Sequence, residues 1–187
     1  MTISILCGGK SSRMETEKGL VLYQNKPFIE HVIDAVLPIT NAIQLISNST
    51  DYDYLGYEIV NDLVFEKGPL GGIYSALVHS ETENNLLLSC DIPLITTEIL
   101  MELINKHTSD FEISVFKDED KIHPLIGMYS KKLIPVLEKA LDENKLKMMD
   151  FISNSNHQFI VIDKEKRKFF KNINSVAELN DLNNNIV

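Results

Sequence analysis

Residues 86–93 read Leu-Leu-Leu-Ser-Cys-Asp-Ile-Pro. Residues 86–88 are apolar without alternation and, with Ser89, show the pattern of a strand buried on both faces in the middle of a parallel sheet. The run then breaks abruptly into a polar turn that carries Asp91. A second short run, Ile3-Ser4-Ile5-Leu6-Cys7, stops in the same way at Gly8-Gly9 and reads as a buried strand entering a loop.

Working outward from these two strands, Pro27 opens a helix, where a missing N–H costs nothing. Phe28, Ile29, Val32, Ile33, Val36 and Leu37 follow on one helical face. Further strands are expected at 43–47, 57–60 and 85–89. Gly68-Pro69-Leu70-Gly71-Gly72 is a turn that leads into a helix reaching about residue 79. Downstream, a helix is expected over 97–107, where Ile99, Leu100, Leu103 and Ile104 supply the apolar stripe. It is followed by strands at 112–116 and 125–129, then a helix over 131–142 with Pro135 in its first turn. A short helix at 147–153 and strands at 158–162 and 169–171 come next. A last helix begins at Ser175, where Glu178 completes a capping box.

No internal repeat or linker interrupts the chain, so its 187 residues fit one domain that buries roughly 70% of its unfolded surface. Alternating strands and helices imply a mostly parallel sheet covered on both sides. Ligands of such sheets sit beyond the carboxyl ends of the strands. That rule gathers the loops after residues 7, 47, 60 and 89 along one edge.

A net charge of -9 argues against nucleic acid as a partner. Positive charge is concentrated locally, with Lys10, Arg13, Lys18 and Lys26 set against Glu15 and Glu17 in the first 26 residues. Cys7 and Cys90 form no Cys-x-x-Cys, so no structural zinc site is expected. Met1–Leu6 is too short an apolar run for a secretory leader, and no stretch approaches a membrane span. The expectation is a reducing, cytoplasmic compartment.

The loop Leu6-Cys7-Gly8-Gly9-Lys10-Ser11-Ser12-Arg13-Met14 joins two glycines, two hydroxyls and two cations. Consecutive N–H groups there can form an anion-binding nest, and Lys10, Arg13 and Lys18 can offset a triphosphate. An ordinary strand-to-helix turn with solvated basic side chains fits the same residues. A Walker A loop is excluded, because its first glycine would fall on Ser4, and no G-x-G-x-x-G occurs.

With Lys18, this stretch resembles the signature L-A-G-G-x-S-x-R-M-G-x-D-K of molybdenum cofactor guanylyltransferases and their nucleotidyl-transferring relatives. The resemblance continues through Asn61-Asp62, Gly68–Gly72, Cys90-Asp91-Ile92-Pro93, His123-Pro124-Leu125 and Lys171-Asn172-Ile173-Asn174. It implies an α/β three-layer sandwich with a mostly parallel, Rossmann-like sheet of the nucleotide-diphospho-sugar transferase type. A nucleotide-binding half would span about 1–95 and a pterin-substrate half about 96–187. It further implies transfer of GMP from Mg-GTP to the phosphate of molybdopterin, with Mg2+ as cofactor. Other cofactor-biosynthesis proteins and acceptor molybdoenzymes would be partners.

Residue by residue, the resemblance makes Lys18, Arg13 and Asp91 catalytic, Asp91 being the metal-binding aspartate. Leu6, Cys7 and Gly8 match the segment whose backbone touches guanine and ribose, and Gly9 belongs to the same nucleotide loop. Asp62 matches a nucleotide-contacting aspartate, and Asn48 lies within one residue of the guanine-side asparagine. Asn174 corresponds to a residue that completes the metal and phosphate environment, although Asn172 and Asn174 also suit a turn before Ser175. His123, Pro124 and Lys147 fall where relatives hold the pterin, and a histidine before proline also suits a structural role. Glu15 replaces the family's glycine, Cys7 its alanine, and Leu146-Lys147 keeps one charge of a basic pair. A cytidylyl transferase or a non-catalytic nucleotide-binding adaptor remain the alternatives on these residues.

Overall fold

The computed structural model of the protein describes residues 1–8, 17–119 and 121–184. Its elements run β1 (Thr2–Leu6), β2 (Leu22–Tyr23), β3 (Lys26–Pro27), α1 (Phe28–Val36), β4 (Ile43–Ile46), β5 (Glu58–Val60), α2 (Gly68–His79) and β6 (Asn84–Ser89). There follow α3 (Thr97–Lys106), β7 (Ile113–Lys117), β8 (Ile122–Ser130), α4 (Ile134–Asp142), α5 (Met148–Ser153), β9 (His157–Val161) and α6 (Val176–Asn184).

β1 lies between two parallel partners, with Leu6 opposite Ile46 of β4 and Ser89 of β6. The seven-stranded order is β5-β4-β1-β6-β8-β7-β9. β5, β4, β1 and β6 are parallel, and β8 runs antiparallel to both β6 and β7. The mostly parallel α/β sheet anticipated from the alternation is therefore present, with one reversed strand.

Side chains alternate across the strands and so feed two cores. Ile3, Ile5, Cys7, Leu86 and Leu88 pack against α1 and α3 on one face. Leu6, Ile46 and Leu87 pack against α2, α4 and α5 on the other. The buried polar Ser4 and Gln44 satisfy each other beneath α2, where Gln44 Nε2 donates to Ser4 Oγ at 2.7 Å and to the Ala76 carbonyl at 2.9 Å.

Pro135 occupies the first turn of α4, as its rigid ring allows. Ser175 caps α6, with Glu178 N donating to Ser175 Oγ at 3.2 Å. One expected strand is absent. Residues 169–171 lie at the end of a 3-10 segment, Lys164–Phe170, rather than in the sheet. The Phe169-Phe170 doublet serves as a cover instead of a strand, with the Phe170 ring 4.9 Å from that of Phe116.

Two further features arrange the chemistry. β2 and β3 form a small ribbon whose turn, Gln24-Asn25, has φ of 50° and 60° at its two central residues. A third apolar cluster joins Val21, Tyr23 and Phe28 to Ile173 and Leu182. The C-terminal segment is thereby drawn back across the molecule to the loop that follows β1.

Candidate active site

The carboxyl ends of β1, β4, β5 and β6 open onto one cleft of about 550 Å³. Gly8, Asn48, Asp62 and Ser89 line it, with the first turn of α2 at Gly68, Pro69 and Gly72. The amino end of α2 presents unsatisfied N–H groups and a partial positive charge, favourable to an anion.

Asp91 follows β6 and is 3% exposed. Its Oδ1 accepts from Ser89 Oγ at 2.6 Å and from Asn172 Nδ2 at 2.7 Å. Its backbone carbonyl accepts from Ile173 N at 3.0 Å. Lys18 Nζ donates to Asp91 Oδ2 and also to Asn174 Oδ1. Residues 73 and 156 positions away from Lys18 along the chain thus converge on one ammonium group.

Lys18 is carried by a 3-10 turn, Lys18–Leu20, whose buried Gly19 rests against Tyr52 and Cys90. A Cβ at Gly19 would lie 2.9 Å from Tyr52 Oη and 3.4 Å from Cys90 Cβ, so this close approach requires glycine. Beneath it, Cys7 and Cys90 are buried free thiols. Burial, and then the adjoining Cys90, push the Cys7 thiol well above its ordinary value, which keeps it protonated and inert.

At the far side of the cleft, Asn48 and Asp62 hold each other. Asp62 N donates to Asn48 Oδ1 at 2.9 Å, and Asn48 Nδ2 approaches Asp62 Oδ2 at 3.4 Å. Asp62 Oδ1 is buried without a hydrogen-bond partner, and burial raises its carboxyl from the ordinary value. An unsatisfied acceptor of this kind is costly unless a ligand donates to it.

The structure thus brings together Leu6, Gly8, Lys18, Asn48, Asp62, Asp91 and Asn174 at one sheet edge. The Cys7 side chain faces the α1–α3 core instead, and its amide donates to the Ile46 carbonyl at 2.9 Å. Gly9 and Arg13, together with Glu15, lie outside the described residues. His123 and Pro124 border a separate cavity of about 160 Å³ that also reaches Asn172. His123 Nε2 stands 3.6 Å from Asp118 Oδ2, and its ring lies 5.0 Å from Phe170. Burial lowers its pKa, with Lys121 adding to the effect, which favours the neutral imidazole. Lys147 borders neither cavity. It lies in a larger one of about 760 Å³ at the α4–α5 turn with Lys139 and Lys145, whose lining includes neither Lys18 nor Asp91.

Ser89 and Lys67 were not singled out from the sequence, and Asn172 stood there only as part of the Lys171–Asn174 motif or as a turn former, with no contact to Asp91 foreseen. Ser89 left one trace, a hydroxyl two residues before an aspartate at a strand end, the spacing of local side-chain turns. Lys67 left none. Its Nζ donates to the Leu141 carbonyl at 2.9 Å and to Asn144 Oδ1 at 3.2 Å, tying the cleft wall to the second half of the chain.

A parallel α/β sheet with a buried carboxylate and a lysine at its carboxyl edge, beside an anion-favouring helix terminus, defines a protein of the nucleotidyltransferase class. The chain belongs to the family of the MobA-like NTP transferase domain, whose sequence profile matches residues 3–158. It is 60% identical over 186 residues to the probable molybdenum cofactor guanylyltransferase of Flavobacterium johnsoniae, covering 100% of this chain and 98% of that one. The corresponding protein of Carboxydothermus hydrogenoformans is 33% identical, over 97% of this chain and 94% of the relative. Among solved structures, molybdopterin-guanine dinucleotide biosynthesis protein A from Archaeoglobus fulgidus superposes with a TM-score of 0.81. It is 23% identical, over 97% of this chain and 96% of that one, and so shares the fold.

Proposed function

We propose that this protein transfers GMP from GTP to the phosphate of molybdopterin, releasing pyrophosphate. The observation that carries the reading is the meeting of Lys18, Asp91 and Asn174 beside the Asn48–Asp62 cleft. The nucleotide belongs in the part built from residues 1–95, and the pterin in the part from 96 onward that contributes His123 and Pro124. Lys147 borders the pterin end only if that substrate extends along the α4–α5 turn.

In the reaction a phosphate oxygen of molybdopterin attacks the α-phosphorus of GTP, and the bond to the bridging oxygen of pyrophosphate breaks. Such transfer is governed by positioning and charge stabilisation and needs no protein nucleophile. Lys18 turns its ammonium from Asp91 to the phosphates. Asp62 accepts from the N1–H and amino group of guanine, and the α2 terminus faces the triphosphate.

A magnesium ion fits the donors present. Asp91 Oδ2 and Asn174 Oδ1 are hard oxygens already converging on a cation, the Lys18 ammonium. Among the described residues no group of three or more His, Cys, Asp or Glu side chains gathers to hold an ion alone. Asp91 and Asn174 would hold the ion, and phosphate oxygens of the nucleotide would add further hard donors. When bound, Mg2+ would withdraw charge from the reacting phosphates. Among the described residues no helix is long and apolar enough to cross a membrane. The two free thiols, Cys7 and Cys90, support a cytoplasmic location.

Calorimetry with Mg-GTP, Mg-CTP and Mg-ATP, alongside pyrophosphate release with molybdopterin present, tests the assignment. GTP preference with release is the expected result. CTP preference would move the protein to the cytidylyl branch, and GTP binding without release would make it an adaptor. Asp91→Asn should lower turnover about a hundredfold or more while the circular dichroism spectrum is retained. Undiminished turnover in that variant would remove Asp91 from the metal site.

A further inference from the structure

Phe65 stands on the cleft rim with 76% of its surface exposed, an expensive place for a phenyl ring. It lines the cleft together with Gly8, Asn48, Asp62 and Pro69. The segment that bears it, residues 61–67, is tied at both ends. Leu63 N donates to Ser75 Oγ at 2.9 Å, and Lys67 is anchored to the Leu141 carbonyl at 2.9 Å. The backbone beyond Phe65 is left-handed at Glu66, φ 56°, and at Gly68, φ 59°. A non-glycine residue held there is a maintained strain, and it fixes where the preceding ring projects. Packing within the protein accounts for neither the exposure nor the strain.

We propose that Phe65 is a base-binding residue whose ring lies against the face of the nucleobase while Asp62 takes the base's N–H edge. This rests on the nucleotide reading of the cleft given above and deepens it. The two contacts divide the work. Stacking supplies affinity in proportion to the π-surface offered, so it favours a purine over a pyrimidine. The carboxylate then selects among purines by requiring donors on the edge. Phe65 is largely solvated in the free protein, so the base covers apolar surface that nothing else covers.

The chain contains no tryptophan. Phe65→Trp therefore gives a single-tryptophan protein whose emission reports the rim directly. Val161→Trp is the control, at a 72% exposed position of β9, the sheet edge opposite β5. Saturable quenching of the Phe65→Trp emission by Mg-GTP is the expected result, with weaker quenching by Mg-CTP. Magnesium tripolyphosphate, which has no base, should leave the emission unchanged, and the Val161→Trp protein should not respond to any of them. In parallel, Phe65→Ala should weaken GTP binding about tenfold by calorimetry, and Phe65→Tyr should restore it, with all melting temperatures alike.

Unchanged emission at GTP concentrations that saturate the wild type would overturn the stacking assignment alone. Equal quenching by tripolyphosphate would overturn it too, because the segment would then be answering the phosphates. If the wild-type protein takes up no GTP in calorimetry, the nucleotide reading of the cleft falls, and this inference with it.

Discussion

At Asp91 the two carboxylate oxygens are unequal. Oδ1 is filled by donors from Ser89 and Asn172, whereas Oδ2 meets only the mobile charge of Lys18 among the described contacts. Ser89 therefore fixes which oxygen is turned to a cation. Ser89→Ala should raise the Mg2+ concentration needed for half-maximal turnover about tenfold, leaving the KM for GTP unchanged. An unaltered metal requirement would reduce Ser89 to packing. Asp62 behaves differently. Its pKa is raised in the folded chain, so protonation favours folding. Its contribution to stability is fullest below the unfolded carboxylate value and is lost as pH rises through the folded one. Asp62→Asn should consequently melt no lower than wild type at neutral pH, yet bind GTP about tenfold more weakly or worse. Melting curves at pH 5 and pH 8 with paired calorimetry check both halves. Lys18, Asp62 and Asp91 were legible in the sequence because each ends a recognisable stretch. The parts played by Ser89 and Asn172 were not, since a serine two residues from an aspartate or an Asn-x-Asn motif does not show which carboxylate oxygen each donates to.

At the scale of elements, the turn Lys18–Leu20 must lie close against Tyr52 and Cys90 for its lysine to reach Asp91. Gly19 makes this possible, with Tyr52 and Cys90 directly beneath. Gly19→Ala should overpack the site, costing about 1–3 kcal/mol of stability and lowering turnover by lifting Lys18. Tyr52→Phe removes the oxygen nearest the added methyl and should recover part of both losses. A double variant no better than Gly19→Ala, by thermal melts and rates, would place the strain elsewhere. The inner strands of this sheet could be read from sequence because burial on both faces leaves unbroken apolar runs, as in Leu86–Leu88. The ribbon at 22–27 could not, because two-residue strands leave no period to detect. The strand expected at 169–171 is instead the end of a 3-10 segment, where Phe170 packs on Phe116 and Phe169 on the same core rather than in the sheet.

Across the whole molecule, the site is closed by a segment distant in sequence. Asn172 and Asn174 reach Asp91 and Lys18 because Ile173, between them, is fully buried against the ribbon, with Leu182 of α6 beside it. The family profile ends at residue 158, so this closing segment lies past the matched region. Only its Asn-x-Asn pattern made it visible in the sequence, and the apolar residues that hold it in place looked like any others. Their cluster is small and separate from the two cores that flank the sheet. Stability in such a unit is local, and it can open without unfolding the rest. Leu182→Ala should accordingly loosen α6 and the two asparagines while shifting the global melting midpoint by only a few degrees or less. Turnover should fall and the Mg2+ requirement rise, because Asp91 loses one donor and Asn174 its fixed place. GTP affinity in calorimetry should stay near wild type, since Gly8, Asn48 and Asp62 belong to strand ends that α6 does not support. Hydrogen exchange would show faster amides in α6 with β1 and β6 unchanged. A parallel loss of GTP affinity would mean that the two ends of the cleft are coupled through the sheet, and that the C-terminal segment acts on more than the metal side.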